Sequence, residues 1–259
     1  MHLFYETHGA GEPLLLIPGF ASGAWNWFRQ IDDLSQDFKV ITFDPRGIGR
    51  SKAENEDELN NLSMNVFADD VLHILDELDI EKAHILGASF GGFVAETFAL
   101  NFPDRLGKLI LACTSFGGAH HVPPDLEILM AFAATDGMNT SERIRKFMIP
   151  AFTPEFTAEF PETVEKVCSL RENSVVPEKV YTAQLTTATT FDYKDRVREI
   201  ENETLIITGD KDKVVPMQNS INLAEKMPNA RLEIIENGSH MFFVENAAEF
   251  NRKVKEFIL

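Results

Sequence analysis

Residues 85–96 read ILGASFGGFVAE. An apolar β-type run precedes Ser89 and a helix-like run follows it, with Gly87, Ala88, Gly91 and Gly92 crowded around the serine. A strand that turns abruptly into a helix forces its tip residue into a strained backbone conformation. Neighbours two positions away must then be small, because strand and helix touch there. Such a turn lifts the serine hydroxyl clear of the sheet, beside a helix N-terminus whose free N–H groups favour developing negative charge. The pattern G-x-S-x-G arises by chance in roughly one chain in ten to twenty of this length. Its place between a strand-like and a helix-like segment is what gives it weight.

Outward from this point, short β-like runs alternate with helix-like segments. LLLI (14–17), FKVITF (38–43), AHIL (83–86) and KLILAC (108–113) are strand candidates, and most are continuous apolar runs, as parallel strands buried on both faces require. Segments around 24–36, 64–79 and 90–101 have helical length; in 64–79 the apolar residues 67, 71, 74, 75 and 78 recur at helical spacing. This alternation predicts an α/β fold: a mostly parallel sheet with helices on both faces. From about residue 117 to 190 the sequence is helical or irregular, with prolines at 123, 124, 150, 154, 161 and 177. TLIITGD (204–210), a helix around 216–227, RLEIIENGSH (231–240) and a closing amphipathic helix resume the α/β pattern. The expected organisation is a core over 1–116, a helical cap or lid over 117–190, and the rest of the core over 191–259. Phe132, Phe147, Phe152, Phe156 and Phe160 suit either an apolar ceiling over a ligand or the insertion's own small core, the second being favoured; Met130, Met138 and Met148 fit either account.

Composition excludes several classes. The 259 residues carry a formal charge of −17, which opposes nucleic acid, whose phosphates need clustered Lys and Arg, and anionic membrane surfaces. No apolar run reaches the roughly 18–20 residues of a membrane span, and MHLFYETHGAGEP lacks the features of a signal peptide, so a cytoplasmic protein is expected. Cys113 and Cys168 are too few for a disulfide framework, lack zinc-ligand spacing and read as buried thiols. No metal or organic cofactor is expected, and a homo-oligomer is possible but not predicted.

A serine hydroxyl needs a base, and the base needs a third group to orient it. Of seven histidines, His73 and His84 fall inside regular elements, His2 and His8 lie near the start, and His120 and His121 open the insertion. His240 instead follows a strand and the turn residues Asn237 and Gly238, at the sheet edge where open α/β sheets bind ligands. Two acids lie beyond the neighbouring strand. Asp210 suits the turn with Gly209, whereas Asp212, further out, is favoured to accept the imidazole N–H. LACTSF (111–116) contains no carboxylate.

LLLIPGF, DPRGIGRS, GASFGG, GDKDKVVP and GSH, in this order, make the chain resemble the α/β-hydrolase superfamily over essentially its whole length. Ser89, Asp212 and His240 fall in that superfamily's order. Within it the chain looks most similar to small bacterial capped serine hydrolases: 3-oxoadipate enol-lactonases, carboxylesterases and meta-cleavage-product hydrolases. The resemblance implies catalytic roles for Ser89, Asp212 and His240, and an oxyanion hole from the backbone N–H groups of Phe20 and Phe90. Pro18 stands where a histidine is commoner, but the donor belongs to a later residue. The turn Asp44–Ser51 reads as a tight loop, with neither Asp44 nor Arg46 catalytic, and Ser22 and Ser115 are possible pocket neighbours.

The expected function is hydrolysis of an ester or lactone of a small, largely apolar molecule through an acyl-enzyme, with an apparent pKa near 6–7 for the base. The alternatives are a carbon–carbon bond hydrolase, cofactor-free perhydrolase or lyase chemistry on the same residues, or a ligand sensor that retains them. An anionic substrate would need a pocket cation, for which Arg143, Arg145 and Lys146 are the candidates.

Overall fold

Leu14 and Leu16 belong to one buried cluster and Leu15 and Ile17 to another. The same alternation separates Leu109 and Leu111 from Ile110 and Ala112. Successive side chains of a strand point to opposite faces, so a continuous apolar run fills two cores at once, one on each side of the sheet. A slip of one residue would exchange the two sets, which pins the register.

The computed structural model describes residues 2–53, 56–133 and 136–259, and the side chains of Glu56, Phe132 and Ala133 lie outside the description. Its sheet has the order β1-β3-β2-β4-β5-β6-β7. The strands are β1 (Tyr5–His8), β2 (Glu12–Ile17), β3 (Phe38–Phe43), β4 (Ala83–Ala88), β5 (Leu106–Ala112), β6 (Thr204–Gly209) and β7 (Ala230–Ile235). All neighbouring pairs are parallel except β1 with β3, where Tyr5 lies opposite Phe43. β1 has no counterpart in the sequence reading, because YETH is short, polar and only partly buried, and its partner is supplied by the fold.

Helix α1 (Ile31–Leu34) is all that remains of the α-helix expected over 24–36. Asn26, Phe28 and Gln30 instead donate to the carbonyls three residues earlier, which winds 24–30 into tighter turns. The Gln30 amide, fully buried, donates to the Phe243 carbonyl and fixes this segment against the C-terminal helices. α2 (Met64–Glu77) is capped by the Ser63 hydroxyl, and α3 (Phe90–Asn101) coincides with the expected helix. α9 (Gln218–Ala224), α10 (Phe242–Glu245) and α11 (Ala247–Ile258) complete the layers around the sheet.

Between β5 and β6 run α4 (Leu126–Ala133), α5 (Thr140–Met148), α6 (Pro154–Glu159), α7 (Pro161–Asn173) and α8 (Glu178–Thr190). Among the described residues this stretch contributes no strand to the sheet. Its phenylalanines pack largely on one another. Phe152 and Phe156 stack with ring centroids 5.7 Å apart, and Phe160 leans on Phe156 at 5.0 Å. Phe152 and Met148 are buried and Phe147 packs against the same cluster, whereas Met130 is exposed.

Glu96, on α3, is the least comfortable group in this interior. Its side chain is fully buried and neither carboxylate oxygen has a hydrogen-bond partner among the described residues. Burial drives its pKa well above the ordinary 4.5, so the acid stays protonated. The folded state therefore holds this proton while the unfolded chain releases it, and folding loses stability as pH rises above about 4.5. Glu96→Gln removes that dependence. In urea melts, the variant's stability relative to wild type should rise between pH 5 and pH 8, and a constant difference would mean that Glu96 finds a partner.

Candidate active site

Ser89 sits between β4 and α3 with φ 54° and ψ −118°, a backbone conformation that a serine rarely adopts. The turn is this sharp because Gly87 and Gly91 nearly touch: a Cβ on Gly87 would lie 2.2 Å from the Gly91 carbonyl oxygen. A Cβ on Gly91 would in turn meet the carbonyl of Ile17 at 2.3 Å, so the end of β2 presses on the start of the helix. Side chains at either position would force the backbones apart. Ser89 donates its N–H to the Ala112 carbonyl at 2.8 Å and its own carbonyl accepts from the Thr114 hydroxyl at 2.9 Å. These two bonds tie the serine to the end of β5.

Asp212 and His240 come from the turns after β6 and β7. A Cβ on Gly209 would lie 2.1 Å from the Gly238 carbonyl oxygen, so the two turns approach as closely as backbone allows. His240 Nδ1 lies 2.8 Å from Asp212 Oδ2. The other carboxylate oxygen accepts the N–H groups of Val214 and Val215, each at 2.8 Å. Three hydrogen bonds hold this buried carboxylate in place and aim it at the imidazole. Burial lowers the His240 pKa, but the charge and hydrogen bond of Asp212, together with the adjacent Cys113 thiol, outweigh it and raise the imidazole well above 6.5. Asp210, the other candidate acid, is exposed, and among the described residues His240 pairs with Asp212 instead.

Cys113 joins the two halves of this arrangement. It follows β5 with φ 43°, donates its N–H to the Ile207 carbonyl and is fully buried. Its thiol lies against the His240 imidazole and the Ser89 backbone N–H. Burial pushes the thiol pKa up, so Cys113 is a neutral wall rather than a second nucleophile. Donor atoms of Cys113, Asp212 and His240 all lie within 4.8 Å of one another. With Asp212 already accepting from a ring nitrogen and two amides, this cluster reads as a hydrogen-bonded acid–base pair lined by a thiol. The sequence offered no sign of it, since a lone cysteine after a strand is an ordinary core residue.

The model for the alpha/beta hydrolase fold matches residues 12–247. The chain belongs to the alpha/beta hydrolase family. A relative from Burkholderia vietnamiensis, a 2-hydroxy-6-oxononadienedioate/2-hydroxy-6-oxononatrienedioate hydrolase, is 33% identical over 270 residues, covering 100% of this chain and 91% of its own. A protein of Rhizobium rhizogenes, named provisionally as a carbamate hydrolase, is 28% identical over 99% of this chain and 97% of its own. Among solved structures, a thermophilic esterase from Thermogutta terrifontis with malate bound is 27% identical, with a TM-score of 0.83, over 99% of this chain and 92% of its own.

In this alpha/beta hydrolase the remaining candidates fall into clear places. Phe90 is the first residue of α3, so its N–H is among those a helix leaves without an internal partner. Phe20 lies one residue beyond Gly19, whose missing Cβ would stand 3.7 Å from the Ser89 Cβ. Phe90 thus adjoins the serine in the chain, and Phe20 follows a residue packed against it. Asp44 accepts the N–H groups of Ala24 at 2.8 Å and Arg50 at 2.9 Å, and Arg46 pairs with Asp70, so both hold loops. Ser115 faces His121, with 3.0 Å between Oγ and Nδ1, and does not join the cluster around His240. Ser22 accepts from Arg171. Among the described residues no helix is long and apolar enough to cross a membrane.

The His240–Asp212 contact has a direct spectroscopic consequence. The His240 ring should titrate above 6.5 in wild type, and Asp212→Asn should bring its midpoint down, as read from imidazole NMR shifts against pH. An unmoved midpoint would show that something other than the carboxylate sets it.

Proposed function

We propose that the chain is a serine hydrolase that cleaves an ester or lactone of a small molecule through an acyl-enzyme. The observation that carries this reading is the convergence, around Cys113, of a strained serine at a strand–helix turn and a buried histidine hydrogen-bonded to a carboxylate. In this reading His240 takes the proton of the Ser89 hydroxyl as the oxygen attacks the carbonyl carbon. Asp212 stabilises the imidazolium and holds its tautomer. The N–H groups of Phe20 and Phe90 receive the oxyanion, each such donor lowering the barrier by about 2.7–4 kcal/mol in comparable hydrolases. His240 then protonates the leaving oxygen, and water repeats the sequence on the acyl-enzyme. The helices between β5 and β6 act as a cap over this site.

A neutral imidazole is required for the first step. Because the Asp212 charge raises His240, the acid limb of the rate profile should lie above 6.5, at or beyond the upper part of the range expected from sequence. The rate falls as pH drops through that limb.

A second reading has one specific support. The relative at 33% identity is named for hydrolysis of a hydroxy-oxo-dienedioate, so carbon–carbon bond hydrolysis on the same residues is the main competitor. Product analysis separates the two, because an ester releases an alcohol and a carbon–carbon substrate does not.

The experiment is turnover of p-nitrophenyl esters of increasing acyl length. Wild type should release p-nitrophenol. Ser89→Ala should lose on the order of 10⁶ in kcat, and Asp212→Asn about 10⁴, with both variants folded by circular dichroism. Full turnover by folded Ser89→Ala would refute the serine nucleophile. No ester turnover by wild type, together with cleavage of a dienoate, would transfer the assignment to carbon–carbon hydrolysis.

A further inference from the structure

Cys113, Asp212 and His240 follow three neighbouring parallel strands, β5, β6 and β7. Backbone hydrogen bonds fix them there. Cys113 donates its N–H to the Ile207 carbonyl at 2.9 Å, and Lys211 donates to the Gly238 carbonyl at 2.9 Å, which clamps the turn after β6 onto the turn after β7. A thiol sulfur, a carboxylate oxygen and a ring nitrogen are thereby held within 4.8 Å of one another, and all three side chains are buried. Among the described residues no other three His, Cys, Asp or Glu side chains converge in this way. The chain carries 41 acids and seven histidines, so this convergence is not a by-product of a carboxylate-rich surface.

In the working enzyme these atoms make an acid–base pair lined by a thiol. The same atoms are also the donor set of a zinc-type ion: one sulfur, one imidazole nitrogen and one carboxylate oxygen. Around a tetrahedral ion, bonds of about 2.0–2.3 Å keep the donors about 3.3–3.6 Å apart. His240 and Asp212, at 2.8 Å, need only open slightly, and the thiol need only close what remains of a gap below 4.8 Å. Asp212 is already oriented for this. Val214 and Val215 hold one carboxylate oxygen, and the other faces the ring. Outer hydrogen bonds of this kind aim a ligating carboxylate. Three protein ligands leave a fourth position for water. The sulfur disfavours hard ions such as Mg2+, which take oxygen donors.

We propose that Cys113, Asp212 and His240 form an inhibitory site for a thiophilic divalent cation of the Zn2+ type, which switches the hydrolase off by occupying its base. The ion is not a cofactor of the reaction. On binding, the Cys113 S–H bond breaks, its proton passes to solvent and a sulfur–metal bond forms. An ion on Nδ1 of His240 drives the ring proton to Nε2, and an ion on Nε2 takes that lone pair itself. Either way the imidazole no longer accepts the Ser89 proton. The inhibition rests on the serine-hydrolase reading above; the ion site does not.

The test titrates chelator-treated protein with Zn2+, Cd2+ and Mg2+ in wild type, Cys113→Ser and Cys168→Ala, all checked for folding. Wild type should bind Cd2+ with the ultraviolet charge-transfer band of a cadmium–thiolate bond. Zn2+ should abolish p-nitrophenyl ester turnover until a chelator restores it, and Mg2+ should do neither. In Cys113→Ser the band should vanish, and the Zn2+ concentration for half inhibition should rise by roughly a hundredfold or more, the upper range for loss of a mere supporting residue. Cys168→Ala, which removes the other thiol, should behave as wild type. The His240 ring of wild type, followed by NMR, should stop titrating in saturating Zn2+, a readout that needs no substrate. Wild type that turns over no ester yet shows the band and a silenced ring upholds the ion site and counts against the ester reading alone. A missing band, a ring that titrates unchanged, or a band and inhibition that persist in Cys113→Ser would each overturn the inference and leave the serine nucleophile intact. Should Cys113→Ser not fold, Cys113→Ala takes its place, and the wild-type ring titration decides without either.

Discussion

The arrangement depends on how closely β4 and α3 can approach through the turn at Ser89. With 2.2 Å between a would-be Cβ on Gly87 and the Gly91 carbonyl, no side chain fits at the first position, and the carbonyl of Ile17 imposes the same condition on the second. The chain reverses within one residue, and the strain collects on Ser89 at φ 54°. A strained backbone persists only where its surroundings over-determine it. Here the hydrogen bonds to Ala112 and from Thr114, the parallel pairing of β4 with β5, and a buried helix behind the serine supply that determination.

The same device recurs at the other side of the site. Gly209 and Gly238 let the turns after β6 and β7 meet, which puts Asp212 within 2.8 Å of His240. Each of the three side chains stands at the end of a parallel strand, where the sheet stops and the chain is free to turn. The sheet thus acts as a ruler. Its register, fixed by apolar residues that alternate between two cores, sets the spacing of Ser89 from Asp212 and His240, which lie more than a hundred residues further along the chain.

Electrostatics inside the molecule follows from partners rather than from total charge. Asp212 is held by an imidazole and two amides, whereas Glu96, buried without a partner among the described residues, has its pKa driven well above the ordinary 4.5. Arg171 is the intermediate case, half-solvated and held by neutral oxygens on the loop beside Ser89. A net charge of −17 says nothing about that one local cation.

The sequence by itself determined the parallel sheet, the helical stretch inserted between its two parts, and the serine at its turn. Continuous apolar runs, helical periodicity and small residues flanking Ser89 are local signals that physical chemistry reads directly. It favoured Asp212 over Asp210 as the partner of the His240 ring, because distance along a turn already separates a residue that shapes the turn from one that leaves it. Edge strand β1 and the tight turns at 24–30 were illegible, since pairing with β3 and the grip of Gln30 on Phe243 come from residues far away in the chain. Only the tertiary structure brought the Cys113 thiol against His240, left Glu96 without a partner, and set Arg171 on Phe20 instead of on an acid. Those features are relations between separate segments, and no single segment carries the information about what it will face.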